Sequence, residues 1–163
     1  MKAAIIAGSR TPFVGANSAF AKLSAVDLGK EAVRDALARS GLPGFRVNHV
    51  VYGTVVSDTQ APNIAREVGL AVLPKNVPAV SVSRACASAN QAITGAAEMI
   101  EVGYADVVIA GGGESLSRIP ITASDRLSRS LVRAAKGKTL SRKIAAFRGL
   151  RPRDLVPVTS AIA

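Results

Sequence analysis

The chain has 163 residues, one cysteine, one histidine and a net charge of +10, and 48% of its residues are hydrophobic. It is long enough to bury a core of its own, yet no apolar run reaches a membrane span and the run at its start is too short for a signal peptide. One cysteine leaves no internal disulfide and, with one histidine, no zinc site, so no metal and a reducing, cytoplasmic setting are expected.

Residues 2–7 read as a first strand, followed by a Gly/Ser/Thr/Pro loop over residues 8–15. Ser24 then opens a helix with Asp27 three residues on, the spacing of a capping box. Leu28, Ala32, Val33, Ala36 and Leu37 fall on one face, and Gly41 with Pro43 ends it. Residues 47–55 are a second strand, and Pro62-Asn63 opens a second helix with Ile64, Ala65, Val68 and Leu70 apolar. Residues 78–82 alternate and carry β-branched side chains, which suits a third, buried strand. Residues 86–102 read as a helix apolar nearly all round, a pattern that belongs in an interior. Residues 106–111 form a continuous apolar run, as a strand covered on both faces should. Gly111-Gly112-Gly113 then lets the chain turn sharply or another backbone approach.

Strand and helix alternating, with helix-length connections, predict parallel pairing and a layered α/β fold, βαβαβαβ in order. The charge divides the chain differently. Residues 1–117 carry ten Lys/Arg against nine Asp/Glu, a balance of +1, whereas residues 118–163 carry eleven against Asp125 and Asp154, a balance of +9. Leu127, Leu131, Val132 and Ala135 predict one basic amphipathic helix there, and Leu140, Ile144 and Phe147 another, broken by Gly137. The last residues, Pro157-Val158-Thr159-Ser160-Ala161-Ile162-Ala163, carry no terminal strand or capping pattern, as expected of a chain that continues.

Cys86 stands where the third strand gives way to the third helix. A thiol in the first turn of a helix faces unpaired N–H groups and the positive end of the macrodipole, which favour the nucleophilic thiolate. Taken alone, a single cysteine ahead of an apolar helix is more often an inert packed residue. His49, alone within a strand, is more simply structural than catalytic. The glycine triplet lacks the spacing of a dinucleotide or phosphate loop and reads as a turn. The basic segment reads first as a solvated surface. Nucleic-acid binding ranks last, because only Phe147 interrupts the basic residues and no recognition motif is present.

Ser9-Arg10-Thr11-Pro12-Phe13, Gly53-Thr54-Val55, Asn63-Ile64-Ala65-Arg66, Arg84-Ala85-Cys86-Ala87-Ser88-Ala89-Asn90-Gln91-Ala92 and Ala110-Gly111-Gly112-Gly113-Glu114-Ser115 resemble, in order and spacing, the N-terminal half of a thiolase. The resemblance implies a thiolase-like layered fold, its N-terminal half only, with a mixed, mostly parallel sheet, followed by a basic helical segment that resembles the start of the thiolase loop domain. It sets the boundary at residues 1–117 for the half-domain and 118–163 for the partial loop domain. The Arg-rich form resembles the β subunits of fatty-acid-oxidising trifunctional complexes more than it does short-chain biosynthetic thiolases.

Thiolases cleave 3-ketoacyl-CoA with free CoA or run the reverse condensation. By resemblance Cys86 is the nucleophile that carries the acyl group as a thioester, with coenzyme A as co-substrate and no bound cofactor. Basic residues after Arg118 are then placed to contact CoA. The family's activating histidine, its second cysteine and its last first-half strand have no counterpart here, so the chain is expected not to turn over alone. Expected partners are acyl-CoA, a second copy or the missing second half, and the α subunit of a trifunctional complex. The alternative is a non-catalytic thiolase-like protein whose basic helices meet a partner chain or an anionic membrane surface, or one chain of a split enzyme.

Overall fold

Ser24 starts the first helix as its spacing with Asp27 predicts. In the computed structural model, which describes residues 2–120 and 123–156, the Ser24 hydroxyl accepts from the Asp27 N–H at 3.1 Å and the Asp27 carboxylate accepts from the Ser24 N–H at 3.0 Å. That box opens α1 (Ala25–Ser40), and Gly41, at φ 67°, closes it in the left-handed region that glycine tolerates. Two compact units follow from the contacts, Met1–Ile119 and Pro120–Ala163.

In the first unit a parallel three-stranded sheet has the order β2-β1-β3, with β1 (His49–Gly53) buried along its whole length at the centre. β2 (Ala79–Val82) aligns Val80 with Val51, and β3 (Val108–Gly112) aligns Ala110 with the same residue. Alternation along β1 sends Val50 and Tyr52 to one face, where Val33 of α1 and Ile64, Ala65 and Val68 of α2 (Ile64–Val72) close a core. Val51 points to the other face, onto Ala92 and Ala96 of α3 (Ser88–Glu101). Asn63 joins two elements: its side-chain oxygen caps α2 by accepting from the Arg66 N–H, and its amide donates to the Ala79 carbonyl of β2.

Two expectations change. Residues 2–7 join no sheet, and among the described residues the backbone of residues 2–9 makes no backbone hydrogen bond. A strand exists only through a neighbour, and β3 pairs with β1 alone. The three strands present are all parallel. The third helix starts at Ser88 rather than at residue 86, and of its side chains only Ser88, Ala92 and Ala96 are buried; Ile93 is 41% exposed. An apolar circumference therefore meets cover on one face alone.

The second unit holds α4 (Asp125–Lys136), capped by Ser124, and α5 (Leu140–Ala145), capped by Thr139. Asp154, buried in the 3₁₀ turn Pro152–Leu155, accepts from the Arg151 N–H at 2.9 Å and lies 3.9 Å from the Arg126 guanidinium. Leu131, Val132, Leu140 and Ile144 are exposed among the arginines and lysines. No helix among the described residues is long and apolar enough to cross a membrane. Residues 157–163, expected to carry no terminal strand, lie outside the described residues.

Candidate functional site beyond the carboxyl ends of the strands

The chain leaves β2 at Val82 and reaches α3 through a turn pinned by one side chain. The Ser88 hydroxyl accepts from the Arg84 N–H at 2.8 Å and donates to the Ala85 carbonyl at 2.6 Å. Backbone bonds from Ala87 to Arg84 and from Ser88 to Ala85 tighten the same turn. Ser88 is 3% exposed, so its hydroxyl is satisfied inside the fold. Ala85 takes φ 45°, a conformation costly for a residue with a Cβ. Such strain, on the order of 1–3 kcal/mol, persists where the surroundings impose it, and it gathers at functional sites.

Cys86 follows directly and is exposed. It stands just outside the N-cap, Ala87, rather than in the helical turn that the sequence suggested, because the Ser88 turn consumes residues 84–87 first. The ends of β1 and β3 press on the head of this helix. A Cβ on Gly53 would lie 2.5 Å from the Ser88 carbonyl carbon, and one on Gly112 would lie 2.8 Å from the Ala89 Cβ. Both glycines are a requirement of close approach, which for Gly112 is one of the two roles the sequence allowed the glycine triplet.

Glu114, just past β3, completes the rim. Its carboxylate accepts from the Val55 N–H at 2.7 Å, the Val56 N–H at 3.3 Å and the Thr54 hydroxyl at 3.3 Å. It therefore holds the segment after β1 against the segment after β3 with charge-assisted bonds. Cys86, Thr54 and Glu114 all lie beyond the carboxyl ends of parallel strands, where open α/β sheets place their ligands.

His49 sits at the opposite end of β1 from Gly53, about 13 Å away along the strand, so it and Cys86 are not brought together. It is 8% exposed, neither ring nitrogen has a hydrogen-bond partner, and its ring meets Tyr104 edge-on with centroids 6.0 Å apart. Burial pushes its pKa below the ordinary histidine value. No group of three or more His, Cys, Asp or Glu among the described residues is arranged to hold a metal ion. In the second unit Arg133, Lys136 and Arg142 line one basin of about 410 Å³. Sequence reasoning singled out Cys86 and gave no role to Ser88 or Glu114. Their only signal was position, a serine two residues after the cysteine and a carboxylate directly after the glycine triplet.

Comparison with known proteins bears on this arrangement. Residues 3–149 match the family model described as thiolase, N-terminal domain. The 3-ketoacyl-CoA thiolase of Yersinia pestis (strain Pestoides F) is 46% identical over 160 residues, covering 98% of this chain and 37% of that protein. That of Yersinia pseudotuberculosis serotype O:1b (strain IP 31758) matches to the same extent, 46% over 160 residues. The chain thus spans 37% of the length of these curated relatives. Among solved structures, the acetyl-CoA acetyltransferase of Bacillus anthracis superposes with a TM-score of 0.71 at 33% identity, over 72% of this chain and 30% of that one. A thiolase from Ascaris suum in complex with coenzyme A does so with 0.71 at 36%, over 74% and 32%.

Proposed function

This chain belongs to the thiolase family, and from that premise we propose that it is the N-terminal part of an acyl-CoA acyltransferase with Cys86 as its nucleophile. The observation that carries the reading is an exposed thiol on a strained turn, held by the buried Ser88, beyond the carboxyl ends of a parallel sheet. The Cys86 thiolate attacks the keto carbon of a 3-ketoacyl-CoA and the C2–C3 bond breaks. The acyl group stays on sulfur as a thioester, and acetyl-CoA leaves after its carbanion takes a proton. Free CoA then takes the acyl group from Cys86. A thioester keeps the acyl carbon electrophilic for that second step.

The thiolase resemblance calls for an activating histidine and a second cysteine, and this chain has neither near Cys86. The 163 residues alone therefore stop short of turnover, and further polypeptide supplies both groups. The cytoplasm is the proposed location. In this reading the second unit corresponds to part of the loop domain, and Arg133, Lys136 and Arg142, which line one basin there, are the cations proposed to meet the phosphates of CoA.

Mixing the chain with a polypeptide carrying the remainder of a Yersinia 3-ketoacyl-CoA thiolase tests this. Thiolysis of acetoacetyl-CoA is expected from the mixture and from neither chain alone. Cys86→Ala is expected to lower the rate by at least about a thousandfold. A mixture that forms a complex yet gives no turnover, or an active Cys86→Ala variant, would sink the reading.

A second reading has its own observation: Leu131, Val132, Leu140 and Ile144 stand exposed among the cations of the second unit. Such basic amphipathic helices suit a non-catalytic role against a partner chain or an anionic membrane surface. That reading gains if Cys86→Ala leaves the cellular role intact while charge reversal at Arg126, Arg129 and Arg133 abolishes it.

A further inference from the structure

The apolar pattern predicts a third helix from Cys86, and α3 starts two residues later, at Ser88. Local propensity does not explain the delay. Ala85 and Ala87 flank the cysteine, and alanine is the strongest helix former. A helix continued backward would take in Cys86 and put Ala85 in the right-handed region. Instead Ala85 takes φ 45°, an uphill conformation for a residue with a Cβ. A contact from outside the turn must hold it there.

The Ser88 side chain supplies that contact. Its hydroxyl accepts from the Arg84 N–H and donates to the Ala85 carbonyl. One oxygen thus spans the left-handed step, bonding the residue before it and the residue at it. Ser88 is itself fixed from behind. It is buried, and its main chain lies against the end of β1, where a Cβ on Gly53 would press on the Ser88 carbonyl. Arg84, Ala85, Cys86 and Ala87 are all exposed, so the hydroxyl is where the sheet meets the turn. A second brace, from the Arg84 guanidinium to the Gln91 side-chain oxygen at 2.8 Å, is exposed. Water competes for a bond of that kind, and the bonds of the buried hydroxyl hold more firmly.

We propose that Ser88 is the positioning residue of the nucleophile: its buried hydroxyl holds Ala85 in the left-handed region, and that step keeps Cys86 outside α3 and open to solvent. The inference rests on Cys86 being the nucleophile, and adds the group that decides where the thiol stands. Ser88 acts through the Ala85 backbone and need not touch substrate. Without the hydroxyl the alanines follow their propensity, α3 grows back through Cys86, and the thiol is re-aimed along the helix surface.

Alkylation of Cys86 by iodoacetamide tests this in the 163-residue chain, whose one cysteine it is, without any need for turnover. Sulfur forms a bond to carbon and iodide leaves, so the rate reads how the thiol is presented. Ser88→Ala is expected to slow the reaction by about tenfold, the population lost when a turn strained to this degree is released. Adding Ala85→Gly to Ser88→Ala is expected to restore the rate to within about threefold, because glycine takes a positive φ unaided and resists helix extension. Ala85→Val, with the hydroxyl intact, is expected to slow the reaction as Ser88→Ala does, since a β-branched residue is an outlier at positive φ. Ala85 is exposed, so that variant leaves the core untouched, and it decides alone if Ser88→Ala fails to fold by circular dichroism. The Cα and Cβ chemical shifts of Ala85 should read left-handed in the parent and helical in Ser88→Ala.

A rate unchanged by Ser88→Ala or by Ala85→Val would overturn the proposal. So would a loss in Ser88→Ala that Ala85→Gly does not restore, the result for a hydroxyl that only satisfies the Arg84 N–H. In the mixture with the completing polypeptide, kcat is expected to follow the same order while KM stays within about twofold. A parent mixture without turnover would count against thiolysis by Cys86 and leave the alkylation order standing, so the two readings fail separately.

Discussion

His49 is a buried imidazole with no partner for either nitrogen. Protonating it in place means burying a cation among apolar neighbours and Tyr104, and desolvation accordingly lowers its pKa in the fold. The unfolded chain keeps the ordinary value, about 6.5. Below that pH the unfolded state binds the proton first, so stability falls as pH falls. The melting temperature is expected to hold between pH 8 and 7 and to decline as pH drops from 6.5 toward 5. His49→Phe, which keeps an aromatic edge against Tyr104, is expected to remove that decline. An unchanged slope in the variant would show that His49 is not the cause. Asp27 does not confuse the window. Hydrogen bonds from Ser24 hold its carboxyl below the usual range, so the stability it contributes is lost only as pH falls below about 3.8.

Between elements, the tightest constraint is the contact of β1 and β3 with the head of α3. A Cβ at Gly53 would meet three backbone atoms, the Ser88 carbonyl carbon and oxygen at 2.5 and 2.6 Å and the Ala89 nitrogen at 2.8 Å. Backbone cannot swing aside as a side chain can, so Gly53→Ala must push the whole first turn of α3. A loss of about 3 kcal/mol is expected, at the upper end for overpacking. Gly95, in the middle of α3, has nothing within 4 Å of its Cβ position. There Gly95→Ala is expected to stabilise by about 0.5–1 kcal/mol. Denaturant titration of both variants checks the contrast, and equal effects would refute the packing argument. The same distinction explains what could be read from the sequence. The capping box at Ser24 and Asp27 and the Gly41 stop are local, spanning a few residues, and they appear where their spacing puts them. The strand expected at residues 2–7 has a strand's composition, but pairing requires a neighbour far away in sequence. Cys86 was found by the residues around it. Glu114 was missed because its partners Thr54, Val55 and Val56 lie some sixty residues earlier, and no periodicity links them.

For the whole molecule, charge and core occupy different parts of the chain. Both buried apolar clusters draw only on residues between Ala25 and Ala110. Residues 1–119 carry eleven basic and nine acidic side chains, a balance of +2, which leaves +8 for residues 120–163. Within that second unit, among the described residues, only Ser130 and Asp154 are buried, so it contributes little apolar burial of its own. Ending the chain after Ile119 therefore removes most of the net charge and none of either core cluster. The shortened chain is expected to melt within about 4 °C of the full one, a difference of roughly 1 kcal/mol or less. It should also elute from a cation exchanger at much lower salt, because the remaining charge is small and distributed. Loss of the cooperative transition on truncation would mean that the basic helices complete the core. Unchanged retention on the exchanger would mean that the charge of the first unit is concentrated on one face.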